Sequence, residues 1–131
     1  MDRYSRIVGE HFHNPRNVGK LVDADAEGLA GYQRAGPFMR FTAIEKEGAI
    51  LQILYQTYGC APAIAVGSLL SEQVKGRPVS EARGWTVERL LEALGGLPSD
   101  KEHCARLGIE ALHQLLDNLE KRYKKTSEGI S

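Results

Sequence analysis

Two cysteines and one histidine are the residues of this chain whose types and positions could support metal chemistry. Cys60 and Cys104 are the only cysteines in the sequence, and they are 44 positions apart. Each falls where a helix is predicted to begin, and the positive end of a helix dipole stabilises an anion, so we expect a lowered thiol pKa at both. His103 directly precedes Cys104 and adds an imidazole. Zinc and iron-sulfur centres take thiolates and imidazoles as ligands, so these three residues form a candidate metal site.

Packing is the alternative role for both cysteines, because free cysteine is among the most buried residue types. Neighbouring side chains on a helix point about 100° apart, so His103 and Cys104 can share one metal ion only at the tip of the helix. Cys60 and His103 could also form a nucleophile and base, but no third group that would orient the imidazole is evident. The sequence therefore favours metal binding over thiol catalysis.

The other histidines and one acidic pair are weaker candidates. His11 and His13 are interpreted as surface or capping histidines. His113 lies about two and a half helical turns beyond the second cysteine and should face away from it. Asp23 and Asp25 are interpreted as solvated loop charges, unless their loop reaches the cysteines. None of these residues is placed in the candidate site.

Apolar periodicity and chain punctuation predict the elements that must position the cysteines. Pro15 ends a first helix, because the residue before a proline avoids the helical region. Pro62 suits the first turn of the helix that follows Cys60. The predicted elements are a helix over 4–12, an edge strand near 20–26, strands over 38–45 and 50–57 forming a hairpin, a helix over 62–74, a short helix over 87–94 and a long helix from 99 onward.

The last two helices carry their own start and stop signals. Thr86 is a predicted cap for the short helix, and Gly95 and Gly96 end it. Ser99 with Glu102 three positions later forms a capping-box pattern at the start of the long helix. The capping-box pattern places Cys104 in the first part of the long helix.

Strands come first along the chain and helices follow, which favours an α+β fold. We expect a small antiparallel sheet of about three strands with helices packed on one face. A length of 131 residues fits a single domain, predicted over 1–125, with a frayed tail over 126–131. A chain of this size buries enough surface to fold without a structural metal, so a bound metal would serve function.

The overall charge excludes some classes of partner. The 17 Lys and Arg residues balance 17 Asp and Glu residues, and a neutral chain lacks the positive field that nucleic acids and anionic membranes attract. No apolar run approaches the ~20 residues of a membrane span, and the N-terminus has no signal-peptide core. We therefore expect a cytoplasmic protein with no nucleic-acid or membrane partner.

Several motifs together resemble the IscU/NifU-type family of iron-sulfur cluster assembly scaffolds. The resemblance extends from about Tyr4 to Lys125. The motifs that carry it are His11-Phe12-His13-Asn14-Pro15-Arg16-Asn17-Val18-Gly19, Tyr58-Gly59-Cys60, Ala63-Ile64-Ala65, Val74-Lys75-Gly76 and His103-Cys104.

This resemblance implies a fold, a function and a set of partners. Family members are small α+β scaffolds on which iron and sulfide from a cysteine desulfurase form a two-iron cluster, which then passes to apo iron-sulfur acceptor proteins. They hold the cluster with three cysteines, an aspartate and a nearby histidine. Cys60, Cys104 and His103 match three of these positions. The resemblance therefore implies a binding scaffold rather than an enzyme.

The chain departs from the family pattern at two places. Where the family has Cys-Gly-Asp before the hairpin, this sequence has Ala35-Gly36-Pro37. Two ligand positions are lost, because alanine has no ligand atom and proline replaces a carboxylate. Where the family's Hsp70-type chaperone recognises Leu-Pro-Pro-Val-Lys, this chain has Leu97-Pro98-Ser99-Asp100-Lys101. The resemblance therefore does not carry recognition by that chaperone over to this chain.

Two thiolates and one imidazole per chain leave three outcomes open. A two-iron cluster normally takes four protein ligands, so it can bridge a homodimer in which each chain gives Cys60 and Cys104. Zinc can instead bind Cys60, His103 and Cys104 with an open fourth position, and one thiol would then accept persulfide sulfur. With no metal held, the domain would be a cluster-less interaction module or a regulator of the assembly machinery.

Overall fold

Three antiparallel strands and a long C-terminal helix form the centre of the molecule. The computed structural model describes residues 3–32 and 36–130, with side chains as far as Arg122. The elements are α1 (Arg6–His13), β1 (Ala26–Gly31), β2 (Phe38–Lys46), β3 (Ala49–Tyr58), α2 (Ala61–Val74), α3 (Val79–Ala82), α4 (Val87–Ala93), a 3₁₀ turn (Ser99–Lys101) and α5 (Glu102–Ile130).

The strands pair in the order β1-β2-β3, and the predicted hairpin of β2 and β3 is confirmed. Glu47 and Gly48 both have positive φ values, 55° and 83°, which suit a two-residue connection whose twist matches that of the strands. At the other end of the sheet, Phe38 pairs with both Gly31 and Tyr58. The end of β1, the start of β2 and the end of β3 therefore lie side by side.

One face of the sheet carries the core. Met39, Phe41 and Ala43 alternate along β2 and are fully buried, as the period of two in a strand requires. The side chain of Tyr55 packs on Gly67 of α2, and Gly28 of β1 packs on α5. Both helices therefore cover the same face, which confirms the predicted α+β fold with helices on one side of the sheet.

Two glycines allow α5 to approach its neighbours closely. A Cβ atom on Gly28 would overlap the backbone at Ala111 and Leu115 and lie 2.8 Å from the Leu115 Cβ. A Cβ atom on Gly108 would overlap the side chain of Val66 in α2. These contacts hold α5 between β1 and α2, so its first turn lies where α2 begins.

The predicted start and end of the short helix are confirmed at α4. The Thr86 hydroxyl accepts a hydrogen bond of 3.1 Å from the backbone N–H of Arg89, and Gly95 and Gly96 follow with positive φ.

Within the described residues, no helix has the length and apolar character of a membrane span. The backbone of α5 continues through Ile130, and the predicted domain end at residue 125 stays a prediction.

Three details of the predicted elements are wrong. The edge strand spans Ala26–Gly31 rather than 20–26, because pairing with β2 and packing on α5 outweigh the weak strand propensity of a segment containing Gly28. The short helix Val79–Ala82 was not predicted. Ser99 does not cap the long helix, because Pro98 begins a 3₁₀ turn and Ser99 lies inside it.

We expect Gly28→Ala to destabilise the protein by about 1–3 kcal/mol, because the backbone atoms that the new Cβ meets can move only together with α5. Gly9→Ala is the matched control. A Cβ on Gly9, inside α1, meets nothing within 4 Å, so alanine should stabilise the protein by about 0.5–1 kcal/mol. Urea unfolding followed by circular dichroism measures both changes. Equal midpoints for Gly28→Ala and the native chain would contradict the close packing of α5.

Candidate metal centre

The starts of two helices bring the cysteines together. Cys60 is the N-cap residue of α2, two positions after β3 ends at Tyr58, and Pro62 lies in the first turn of that helix. Cys104 is the third residue of α5. The two Sγ atoms lie 3.3 Å apart across a sequence separation of 44 residues. Spacing alone did not require this contact, and the packing of α5 on α2 produces it.

His103 lies beside the cysteine pair. Its Nε2 atom is 3.6 Å from the Cys104 Sγ, and the residue is exposed while Cys104 is buried. Both residues belong to the first turn of α5, directly after the 3₁₀ turn. The structure therefore brings all three predicted site residues together at one end of the molecule, and the Cys60 side chain is half-buried there.

The Cys104 thiol is harder to ionise than the sequence suggested. Burial raises the pKa of Cys104 to about 12, and the hydrogen bond and charge of the Cys60 sulfur act in the same direction. The expectation of a lowered pKa at this helix start is wrong for Cys104, because its loss of solvent outweighs the helix end and the opposing effect of Lys101. A metal ion would have to displace a proton from this thiol.

The sulfur spacing suits two ligands of one metal ion after a small adjustment. Two thiolates about 2.3 Å from a tetrahedral ion lie about 3.8 Å apart, so the 3.3 Å pair must open by about 0.5 Å. A disulfide needs about 2.05 Å, and both thiols are free. As the atoms stand, no group of three or more His, Cys, Asp or Glu side chains in the described part of the chain is arranged to hold a metal.

Comparison with known proteins assigns the domain. Residues 3–126 match the NifU-like N terminal domain family. The chain belongs to this family. It is 44% identical over 113 residues to the iron-sulfur cluster assembly scaffold protein IscU 1 of Archaeoglobus fulgidus, which covers 86% of this chain and 74% of the relative. Over 112 residues it is 45% identical to the scaffold protein IscU of Aquifex aeolicus, covering 84% of this chain and 71% of the relative.

The fold of the family is also seen in a solved structure. The N-terminal part of a NifU-like protein from Brucella abortus matches with a TM-score of 0.71 at 19% identity, over 92% of this chain and 96% of the other. The arrangement of sheet and helices in this chain is therefore that of the NifU-like N-terminal domain.

Pro37, one of the residues at which the sequence analysis finds a departure from the family pattern, lies close to the residue before Cys60. A Cβ on Gly59, the neighbour of Cys60, would lie 3.9 Å from the Pro37 Cβ. Pro37 is exposed and carries no ligand atom. Ala35 lies outside the described residues. Pro37 therefore lies beside the segment that leads into Cys60 and offers no ligand there.

The other histidines serve elsewhere. His11 is only 6% exposed, and its Nδ1 lies 2.7 Å from the hydroxyl of Ser68 in α2, so its interpretation as a surface or capping histidine is wrong. Burial and the charge of Arg16 lower the pKa of His11. His13 is exposed as predicted, and His113 lies 2.9 Å from the Trp85 carbonyl, away from the cysteines.

The acidic loop does not reach the site. Asp25 accepts a hydrogen bond of 2.8 Å from the Glu45 backbone N–H and lies 3.2 Å from Arg122. Ala26 pairs with Ala43, so this loop adjoins the end of the sheet opposite Gly31 and Phe38. Asp25 therefore cannot take the place of the family's aspartate.

Two exposed tyrosines at the sheet end before Cys60 were not predicted as part of the site's surroundings. Tyr58 is 67% exposed and Tyr32 is 77% exposed, and both adjoin the sheet end formed by Gly31 and Phe38. The motif Tyr58-Gly59-Cys60 put Tyr58 next to the first cysteine, whereas nothing in the sequence indicated that Tyr32 lies at the same sheet end.

The raised pKa of Cys104 predicts how the reduced, EDTA-treated protein reacts with iodoacetamide. Since the thiolate is the reacting form, alkylation of Cys104 should accelerate about tenfold per pH unit from pH 7 to 10 without levelling off. Peptide mass spectrometry measures each cysteine separately. The same chain in urea is the control, and there the rate should level off near the ordinary cysteine pKa. A plateau below pH 9 in the folded protein would contradict the assignment.

Proposed function

We propose that this protein is a scaffold for iron-sulfur cluster assembly, with Cys60, Cys104 and His103 as the ligands for its iron. The observation that carries the proposal is the 3.3 Å contact between two sulfurs that are 44 residues apart, at the starts of α2 and α5. Relatives that share 44–45% of the aligned residues are named as such scaffolds. The cluster is cargo, assembled on the site and then passed on.

The position of the site suits a cargo that enters and leaves. Cys60 is half-buried and His103 is exposed, so iron and sulfide can reach the sulfurs without a channel. Cys104 is held by the buried face of α5, which fixes its sulfur in place. We infer a cysteine desulfurase as the source of sulfur, delivered as persulfide and reduced to sulfide by a two-electron donor, and apo iron-sulfur proteins as acceptors. The cargo chemistry requires no catalytic base, so we infer a binding role rather than an enzyme.

Each thiol loses a proton when it binds iron, because the thiolate is the ligand. Burial opposes ionisation of the Cys104 thiol, and the positive charge of the iron would compensate for burying the thiolate. His103 supplies a neutral imidazole on the exposed side. Two free thiols in contact stay reduced only in a reducing compartment, so we infer the cytoplasm.

A cluster-less interaction module is the second candidate. The loss of two family ligands at Ala35 and Pro37 favours it, since the protein would keep the family's surface without holding the cargo. A zinc-bound acceptor of persulfide sulfur is the third outcome. Metal analysis distinguishes all three.

The test is metal and sulfide analysis of protein purified without oxygen. Iron with acid-labile sulfide supports the scaffold, zinc near one ion per chain supports the acceptor, and neither supports the module. Cys60→Ser and Cys104→Ser should each reduce bound iron at least tenfold, because one thiolate cannot hold it. His103→Ala should shorten the lifetime of the cluster against a chelator, and His13→Ala, at an exposed histidine away from the cysteines, is the matched control.

Thermal melting of each variant separates loss of ligation from loss of folding, which matters for the buried Cys104. Full metal content in either folded serine variant would show that the two sulfurs do not share the metal. Equal chelation rates for His103→Ala and His13→Ala would remove His103 from the site.

A further inference from the structure

We propose that the complete cluster site consists of two copies of this chain, each giving Cys60 and Cys104 to one iron of a shared two-iron cluster, with His103 of each copy beside its pair, where it can bind an iron that has lost a thiolate. This inference rests on the proposed scaffold function and names the partner of that site. It follows from the number of ligands, their spacing and the surface around them.

One chain offers too few ligands for the whole cluster. A two-iron cluster normally takes four protein ligands, usually thiolates, and the sequence contains two cysteines. With His103 counted, the set is still one short. The two sulfurs lie 3.3 Å apart, and an opening of about 0.5 Å gives the separation of about 3.8 Å that two thiolates on one tetrahedral metal ion need. The pair therefore suits one iron. The second iron of the cluster therefore requires another pair.

The described residues of the same chain do not supply that pair. Pro37 beside Gly59 has no ligand atom. The nearby Asp100 lies 2.6 Å from Arg3 in an ion pair. Asp25 and Glu45 lie with Arg122 toward the other end of the sheet. A second copy is the simplest source of two further thiolates in the same geometry.

The surface around the cysteines suits a second copy. Tyr32 and Tyr58 are mostly exposed, Pro37 is exposed, and the three residues adjoin the sheet end that precedes Cys60. Exposed aromatic surface is typical of sites that contact another protein. In a two-fold dimer the same patch meets itself, so a cluster on the axis receives an equal pair from each chain. The formal net charge of zero gives two copies no overall repulsion.

The first test is anaerobic reconstitution with ferric iron and sulfide, which together have the oxidation states of an oxidised two-iron cluster, followed by native mass spectrometry. The thiols are reduced beforehand with a phosphine, which is then removed, so that no small thiol can act as a ligand. We expect a monomer without iron, and a dimer with one two-iron cluster per two chains after loading. A cluster on single chains would overturn the shared site and leave the scaffold function intact. No iron and sulfide on any form would overturn the scaffold function itself.

The second test changes the proposed contact without touching a ligand. Tyr58→Arg should reduce both dimer and bound cluster at least tenfold, because two charged side chains would face each other beside the axis. Leu51→Arg is the matched control, at a residue 51% exposed near the other end of β3. Sedimentation of both loaded variants, with circular dichroism to verify folding, gives the comparison. Equal loss in the two variants would overturn the placement of the interface.

The third test restores the missing ligands. Ala35→Cys combined with Pro37→Asp gives one chain three cysteines and an aspartate, so the cluster should bind to a monomer at one per chain and last longer. Retention of one cluster per two chains in the folded double variant would show that ligand shortage does not cause the pairing, and would overturn the proposal.

Discussion

The close packing of α5 against β1 and α2 determines where the two cysteines meet. Gly28 and Gly108 have no side chains at two of the points where this helix touches its neighbours, so the backbones approach more closely there than an alanine would allow. The hairpin fixes the end of β3, and Cys60 follows it directly. With α5 packed in this way, its first turn lies beside the start of α2. The sulfur pair is thus a consequence of packing between distant parts of the chain.

The same packing sets the chemistry of Cys104. A thiol at the start of a helix gains from the helix dipole, but this thiol is 2% exposed, and its loss of hydration is the larger effect. Cys104 therefore keeps its proton at neutral pH, and a metal ion bound there would have to displace it. Metal binding should tighten as pH rises, because fewer protons then compete for the sulfurs. Burial holds the Cys104 sulfur in position, and in the proposed site the positive charge of the metal would offset the cost of burying the thiolate.

Local signals in the sequence were sufficient for the hairpin, for the proline near the start of α2 and for the Thr86 cap. They failed at β1, where no strand-forming run exists and the pairing comes from β2 and α5. The meeting of Cys60 with Cys104 could be expected from the family resemblance, whereas their spacing gave no distance. The buried contact of His11 with Ser68 could not be predicted, since it depends on how α1 packs on α2. The raised pKa of Cys104 could not be predicted either, because it comes from burial, and burial depends on how the whole fold packs.

The lost ligand positions change what a scaffold of this kind can do. A chain that supplied all of the ligands itself would hold its cargo alone, and release would break the bonds one at a time. A site shared by two chains loses half of its ligands in one step when the copies separate. Its occupancy also depends on protein concentration, since loading and pairing are linked by mass action. In the proposed pairing, the absence of a ligand atom from Pro37 beside Gly59 would couple retention of the cluster to association of the copies, and the exposed Tyr58 would adjoin that contact.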